Sequence, residues 1–172
     1  MPAHSSAELL KPVSGRFVAF TLIAAVVLNL LPWFGPARLV RPDFVVLCLL
    51  YWSIHQPRKV GIGVSWLTGL VMDAATGSLF GAHALVYALV IFAAMSWRRR
   101  ILRFSLLGQA VHILVLMGLL DALLLGVQAT ARHAFFAGWG YFASAATSAL
   151  LWPVLSEILL SVQRARSNAE TA

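Results

Sequence analysis

The sequence predicts an all-α fold, a polytopic membrane bundle of six transmembrane helices. Three observations carry that prediction. The 172 residues are 60% hydrophobic and 11% charged, with a mean hydropathy of +0.85, whereas a soluble domain is about one quarter charged. The apolar residues come in six runs separated by short polar or basic breaks. The bases are also unevenly placed. With six crossings, ten of the 13 Lys and Arg fall on one side, and only Arg38, Arg41 and Arg132 on the other. An excess of bases marks the cytoplasmic side, so both chain ends are expected there.

The elements follow in order. Residues 1–15 are read as a polar cytoplasmic tail, residues 16–162 as the transmembrane domain and residues 163–172 as a second cytoplasmic tail. The first span is Phe17–Phe34, stopped by Pro32, Gly35 and Pro36, with Trp33 in an interfacial belt; Asn29 could bond another helix or reach the interface, and the interface is favoured. Its bulky end, Leu31-Pro32-Trp33-Phe34, lacks the small residues of a cleavage site, so it reads as an anchor. Arg41-Pro42-Asp43 then opens the second run, Phe44–Ile54. Pro42 suits a first helical turn, and Asp43 suits the positive end of the helix dipole.

A basic turn, His55–Lys59, precedes the third run, Val60–Met72. Both runs are short for a crossing. A re-entrant hairpin would bury Arg58 and Lys59 near mid-membrane at about 3 kcal/mol each, so two tilted crossings are expected instead. Asp73–Ser78 reads as the next turn and Leu79–Trp97 as the fourth span, ending at Arg98, Arg99 and Arg100 with Arg103 beyond. Phe104–Gln128 is the fifth span, with Gln109, His112 and Asp121. Gly138–Val162 is the sixth, with Ser144, Thr147 and Ser148, a kink at Pro153 and Glu157 near its end. The lone Cys48 lies in an apolar run and reads as packing.

The unusual residues concentrate in Gly69–Leu85, GLVMDAATGSLFGAHAL. Asp73 is an acid among apolar segments, and Gly69, Gly77 and Gly81 stand four before it and four and eight after it. Steps of four keep side chains on one helix face, so the glycines suggest a surface that lets another backbone approach. Two roles are open for Asp73 and Asp121. They either line a polar pocket near the outer surface with His83, or bond neighbouring helices together. In the second case Asn should substitute for Asp73, because an amide still bonds.

Several classes are excluded. No basic face alternates with aromatics, so no nucleic acid is expected despite the net charge of +7. Neither acid sits in the Gly-x-Gly-Asp setting of an intramembrane protease, and there is no Gly-x-Ser-x-Gly elbow. The five histidines form no ligand pair at helical spacing. No enzyme activity, metal or cofactor is expected.

RPDF (Arg41–Phe44) followed by GLVMDAATGSLFGAHAL, with a basic turn between two short runs, resembles the MreD family of bacterial rod shape-determining proteins. The resemblance is fullest over residues 39–100. It implies a non-catalytic inner-membrane subunit of the cell-wall elongation machinery, which maintains rod shape and lateral peptidoglycan synthesis. Its implied partners are MreC, the MreB filament, the RodA glycosyltransferase with its penicillin-binding transpeptidase, and membrane lipids. It also implies a fold like the substrate-binding subunits of energy-coupling-factor transporters. That likeness supplies the alternative, a small-molecule-binding transporter subunit. By position, Arg41, Pro42, Asp43, Gly69, Asp73, Gly77 and Gly81 are the motif residues, and Asp121 joins them as a second intramembrane acid.

Overall fold

Ten consecutive side chains, Val45 to Ile54, are buried at the centre of the molecule. They belong to α2 (Phe44–His55), which is apolar on every face, and a helix without a polar face is stable only when surrounded. Around it stand α1 (Gly15–Leu30), α4 (Ala82–Ile101) and α6 (Ala143–Ala169). Farther out are α3 (Ile62–Thr76), packed chiefly on α4, and α5 (Leu106–Arg132), packed on α4 and α6. A 3-10 turn, Trp139–Phe142, leads into α6. The computed structural model describes residues 14–32, 34–35, 40–132 and 139–169, without the side chains of 131, 132, 139, 141 and 164–169. Among the described residues all regular structure is helical. Expectations for residues 1–13, Trp33, Pro36, Arg38, His133 and the side chains of Arg132, Arg164 and Arg166 lie outside them.

Side-chain bonds fix the directions. The end of α1 meets the start of α2, where Asn29 Nδ2 donates to Asp43 Oδ1 at 2.8 Å. Tyr87 near the start of α4 and Ser148 near the start of α6 also bond Asp43. At the other end, Arg98 Nε donates to the Ile54 carbonyl near the end of α2, and Gln163 Nε2 donates to the Tyr51 hydroxyl at 3.1 Å. So α2, α4 and α6 run one way and α1, α3 and α5 the other. One end gathers polar side chains. The opposite end carries Arg16, Arg58, Lys59 and Arg98 to Arg103, together with the start of α1 and the end of α6.

The outer surface is apolar. Phe20, Ile23, Leu67, Phe92, Leu107 and Leu150 are each more than half exposed, as lipid contact requires. Two helices, α5 over Leu106–Thr130 and α6 over Ala143–Gln163, are long and apolar enough to cross a membrane. The 12 residues of α2 reach only about 18 Å against a hydrocarbon core of about 30 Å.

Several expected boundaries shift. Asp73 lies inside α3, not in the turn, because the helix continues to Thr76 and closes on Gly77. Pro42 precedes the cap of α2 and is not in its first turn, because Asp43 is the N-cap, its side chain accepting from the Val46 N–H. The polar stretch after Gln163 continues α6 to Ala169. Cys48 is buried and free, as expected of a packing residue.

Candidate functional site

The polar end of the bundle holds two carboxylate centres joined through α4. The first is the Arg41-Pro42-Asp43 corner. After α1 ends at Leu30 the chain must return to start α2, leaving carbonyls of one helix and N–H groups of the next without helical partners. Arg41 Nη1 donates to the Asn29 carbonyl at 2.8 Å, in the last turn of α1. Asp43 Oδ1 accepts from the Val46 N–H at 3.0 Å, in the first turn of α2. A cation at a helix C-terminus and an anion at an N-terminus both match the helix dipole.

Asp43 reaches further than its own helix. Oδ1 also accepts from Asn29 Nδ2, and Oδ2 accepts from the Tyr87 hydroxyl of α4 at 3.0 Å. Its backbone N–H donates to Ser148 Oγ of α6 at 3.2 Å. Asn29 completes the clasp with its Oδ1, which accepts from the Phe44 N–H at 3.0 Å. Asn29 is 3% exposed and bonds between helices. The expectation that it reaches the interface is therefore corrected: Asp43 and the start of α2 consume both ends of its amide. One turn along α6 from Ser148, Ser144 Oγ donates to Asp121 Oδ2 of α5 at 2.8 Å.

The second centre is Asp73. The α3–α4 turn contains two glycines in left-handed conformations, Gly77 at φ +61° and Gly81 at φ +96°. Gly77 closes α3, its N–H reaching the Asp73 carbonyl. Gly81 occupies the N-cap position of α4 but has no side chain to cap with, and Asp73 supplies the missing acceptor. Its Oδ2 accepts from the N–H groups of Gly81 at 2.8 Å and Ala84 at 3.3 Å. Its Oδ1 takes the His83 N–H at 3.0 Å, His83 Nδ1 at 2.7 Å and Ser78 Oγ at 2.7 Å. The carboxylate makes Nδ1 the protonated nitrogen of His83. That ring stands edge-on to Tyr87, centroids 5.6 Å apart, and Tyr87 leads to Asp43.

The glycine surface is corrected in part. Only Gly69 meets another backbone: a Cβ there would fall 2.5 Å from the Ala84 nitrogen and 2.7 Å from the His83 carbonyl carbon. A Cβ on Gly77 or Gly81 would meet nothing within 4 Å. Their spacing of four places them in a turn and not on a helix face, and positive φ is the reason for glycine there.

Among the described residues, the groups expected to line one pocket, Asp73, Asp121 and His83, make their bonds in two separate places. Asp73 closes on His83, while Asp121 turns to Ser144. An apolar groove lies between α5 and α6, where Ala110, Leu114 and Ala149 line about 310 Å³. The substitution rule for Asp73 changes too. Both oxygens face N–H or O–H donors, so an Asn amide nitrogen would oppose at least one of them.

Sequence reading missed Tyr87 and, of the two roles open to Asn29, favoured the interface over the bond to another helix. Asn29 had a signal, as the one amide in the first apolar run, where an unpaired polar group is costly. Ser148 stood in a set of small polar residues, and nothing in the sequence pointed it at Asp43.

Comparison with known proteins supplies a family. The model of the rod shape-determining protein MreD family matches residues 13–162. The rod shape-determining protein MreD of Haemophilus influenzae is 32% identical over 155 residues, covering 87% of this chain and 95% of that protein. No solved structure matches, and the expected likeness to energy-coupling-factor transporter subunits finds no support.

Proposed function

The chain belongs to the MreD family of rod shape-determining proteins, and from that premise we propose that it is a non-catalytic, multi-pass scaffold of the cell-wall elongation machinery. It crosses the inner membrane six times, with its basic end and both termini in the cytoplasm. It works by contact with MreC and through it with MreB, RodA and the penicillin-binding transpeptidase, supporting lateral peptidoglycan synthesis.

One observation carries the non-catalytic reading. The acids that could serve chemistry or ligand binding are occupied by the fold itself. Asp73 accepts from Ser78, Gly81, His83 and Ala84, and Asp43 from Asn29, Val46 and Tyr87. A carrier needs polar groups converging on an open site near mid-membrane. Here Asp43, Asp73 and Asp121 close on the fold's own donors at one end, which favours the scaffold over the transporter subunit. The alternation of helix directions and the basic end support six crossings by the positive-inside rule.

Two experiments test this reading. Reporter fusions after Arg100 and after Ser167 should both report cytoplasm, and a periplasmic signal at either would overturn the topology. In a rod-shaped host depleted of its own family member, the chain should restore rods and bring MreC with it from detergent extracts. Round cells without MreC recovery, at normal protein levels, would overturn the role. Substrate-dependent uptake in vesicles holding this chain and a transporter motor would establish the carrier instead.

A further inference from the structure

Between α1 and α3 runs an open groove of about 370 Å³, lined by Leu22, Val26 and Val27 on one side and Leu67, Thr68 and Val71 on the other. It exists because each helix packs mainly on another neighbour, α1 on α2 and α3 on α4, and the two touch only lightly. Its lining offers no spare polar atom: Thr68 Oγ1 donates to the Val64 carbonyl at 2.8 Å. Val27, Leu67 and Val71 are each more than half exposed, so the groove is open to whatever surrounds the bundle.

Because α1 and α3 both run from the basic end toward the polar end, the groove points toward the basic end, its lining beginning at Leu22 on α1 and Leu67 on α3. Arg16 stands in the first turn of α1, and Arg58 and Lys59 stand in the turn just before α3. Arg16 and Arg58 are exposed and Lys59 partly so, and none of the three has an acidic partner among the described residues. The eleven helical steps from Arg16 to Val27 rise about 16 Å. That is roughly half the hydrocarbon core, the depth one lipid occupies in its leaflet.

We propose that this groove is a binding site for an anionic phospholipid, with an acyl chain between α1 and α3 and the phosphate held by Arg16, Arg58 and Lys59. The site rests on the reading that the chain crosses the membrane with its basic end among the headgroups. Reporter fusions check that reading independently of any lipid preference. Charge complementarity selects the occupant: three cations without an acidic partner among the described residues, on the basic-end side of an apolar cleft, match a lipid with a negative head. A hydrophobic partner helix would leave those cations unanswered.

The test is native mass spectrometry of the detergent-solubilised full chain, titrated with phosphatidylglycerol or with phosphatidylcholine of the same acyl chains. Wild type should retain phosphatidylglycerol preferentially. Removing the charges together (Arg16→Gln, Arg58→Gln, Lys59→Gln) should erase that preference, by roughly fivefold per charge, and leave phosphatidylcholine retention unchanged. Filling the groove from its open side (Val27→Trp with Val71→Trp) should reduce retention of both lipids, with the same elution volume as wild type. Both changes avoid the buried core, and the charge variant, altered only at the basic end, stays informative if the filled variant fails to fold. No preference in wild type, or a preference that survives the charge variant, overturns the headgroup assignment. Unchanged retention in a folded filled variant overturns the groove.

Discussion

The Asp43 junction and the Asp73 cap use the same side chain at the same end of the bundle, and they differ in reach. Asp73 works within a hairpin, bonding partners no more than 11 positions away, all in the α3–α4 turn and the first turn of α4. Asp43 bonds partners 14, 44 and 105 positions away, on α1, α4 and α6. The first builds a supersecondary unit; the second locks that unit and three other helices into one bundle. They differ in saturation as well. Both oxygens of Asp73 meet backbone N–H groups, whose direction is fixed. Asp43 Oδ2 meets a tyrosine hydroxyl, which can turn and accept.

The sharpest way to break the hairpin without touching either carboxylate is Gly69→Leu. The side chain would enter the backbone of His83 and Ala84, which cannot move aside as a flexible side chain can. Overpacking costs about 1–3 kcal/mol and occasionally more, and here it parts α3 from α4. The variant should fail to accumulate, as read by membrane-fraction immunoblot. Wild-type levels would show that the helices can separate freely.

Next comes Asp73→Asn. Its amide nitrogen would face a donor on whichever side it lies, leaving a buried N–H without an acceptor at about 1–3 kcal/mol. A clear fall in thermal stability in detergent is expected, close to that of Asp73→Leu. Stability near wild type would show that the cap tolerates a neutral acceptor and would narrow its difference from Asp43.

Gly81→Ala sits lower, at about 1–2 kcal/mol for a left-handed residue that gains a Cβ. Because nothing lies within 4 Å of that Cβ, Gly81→Leu should destabilise by a similar amount in the same melting assay. A Leu variant far worse than Ala would restore a packing surface at Gly81, the reading the structure replaces.

The smallest effect is expected from Asp43→Asn. The retained oxygen can still serve Asn29 and Val46, and the new amide nitrogen can donate to the Tyr87 hydroxyl. The change should stay within about 1 kcal/mol. Asp43→Leu should be clearly worse and should loosen α1 and α6 together, as read by protease accessibility of the loops. Equal loss for Asn and Leu would show that the charge at the start of α2, and not the hydrogen bonds, sustains the junction.

Composition and hydropathy by themselves determined the all-helical class and the number and order of the helices. Burial periodicity was not needed for that, because a chain this apolar has few ways to satisfy its backbone except as helices. The placement of bases determined the parity, with the start of α1 and the end of α6 together at the basic end. Sequence also marked Arg41, Asp43, Asp73, Asp121 and Gly69 as the residues to explain, since charges and tight glycines in an apolar chain demand partners. What the partners are was decided only by tertiary structure. The pairing of Asp43 with Ser148 spans 105 positions, and no local pattern encodes a contact set by how α2 seats between α4 and α6. The same holds for the glycines. Steps of four read alike on a helix and across a turn, and only the end of α3 at Thr76, with the backbone passing into positive φ at Gly77 and Gly81, separates a packing surface from a reversal of the chain.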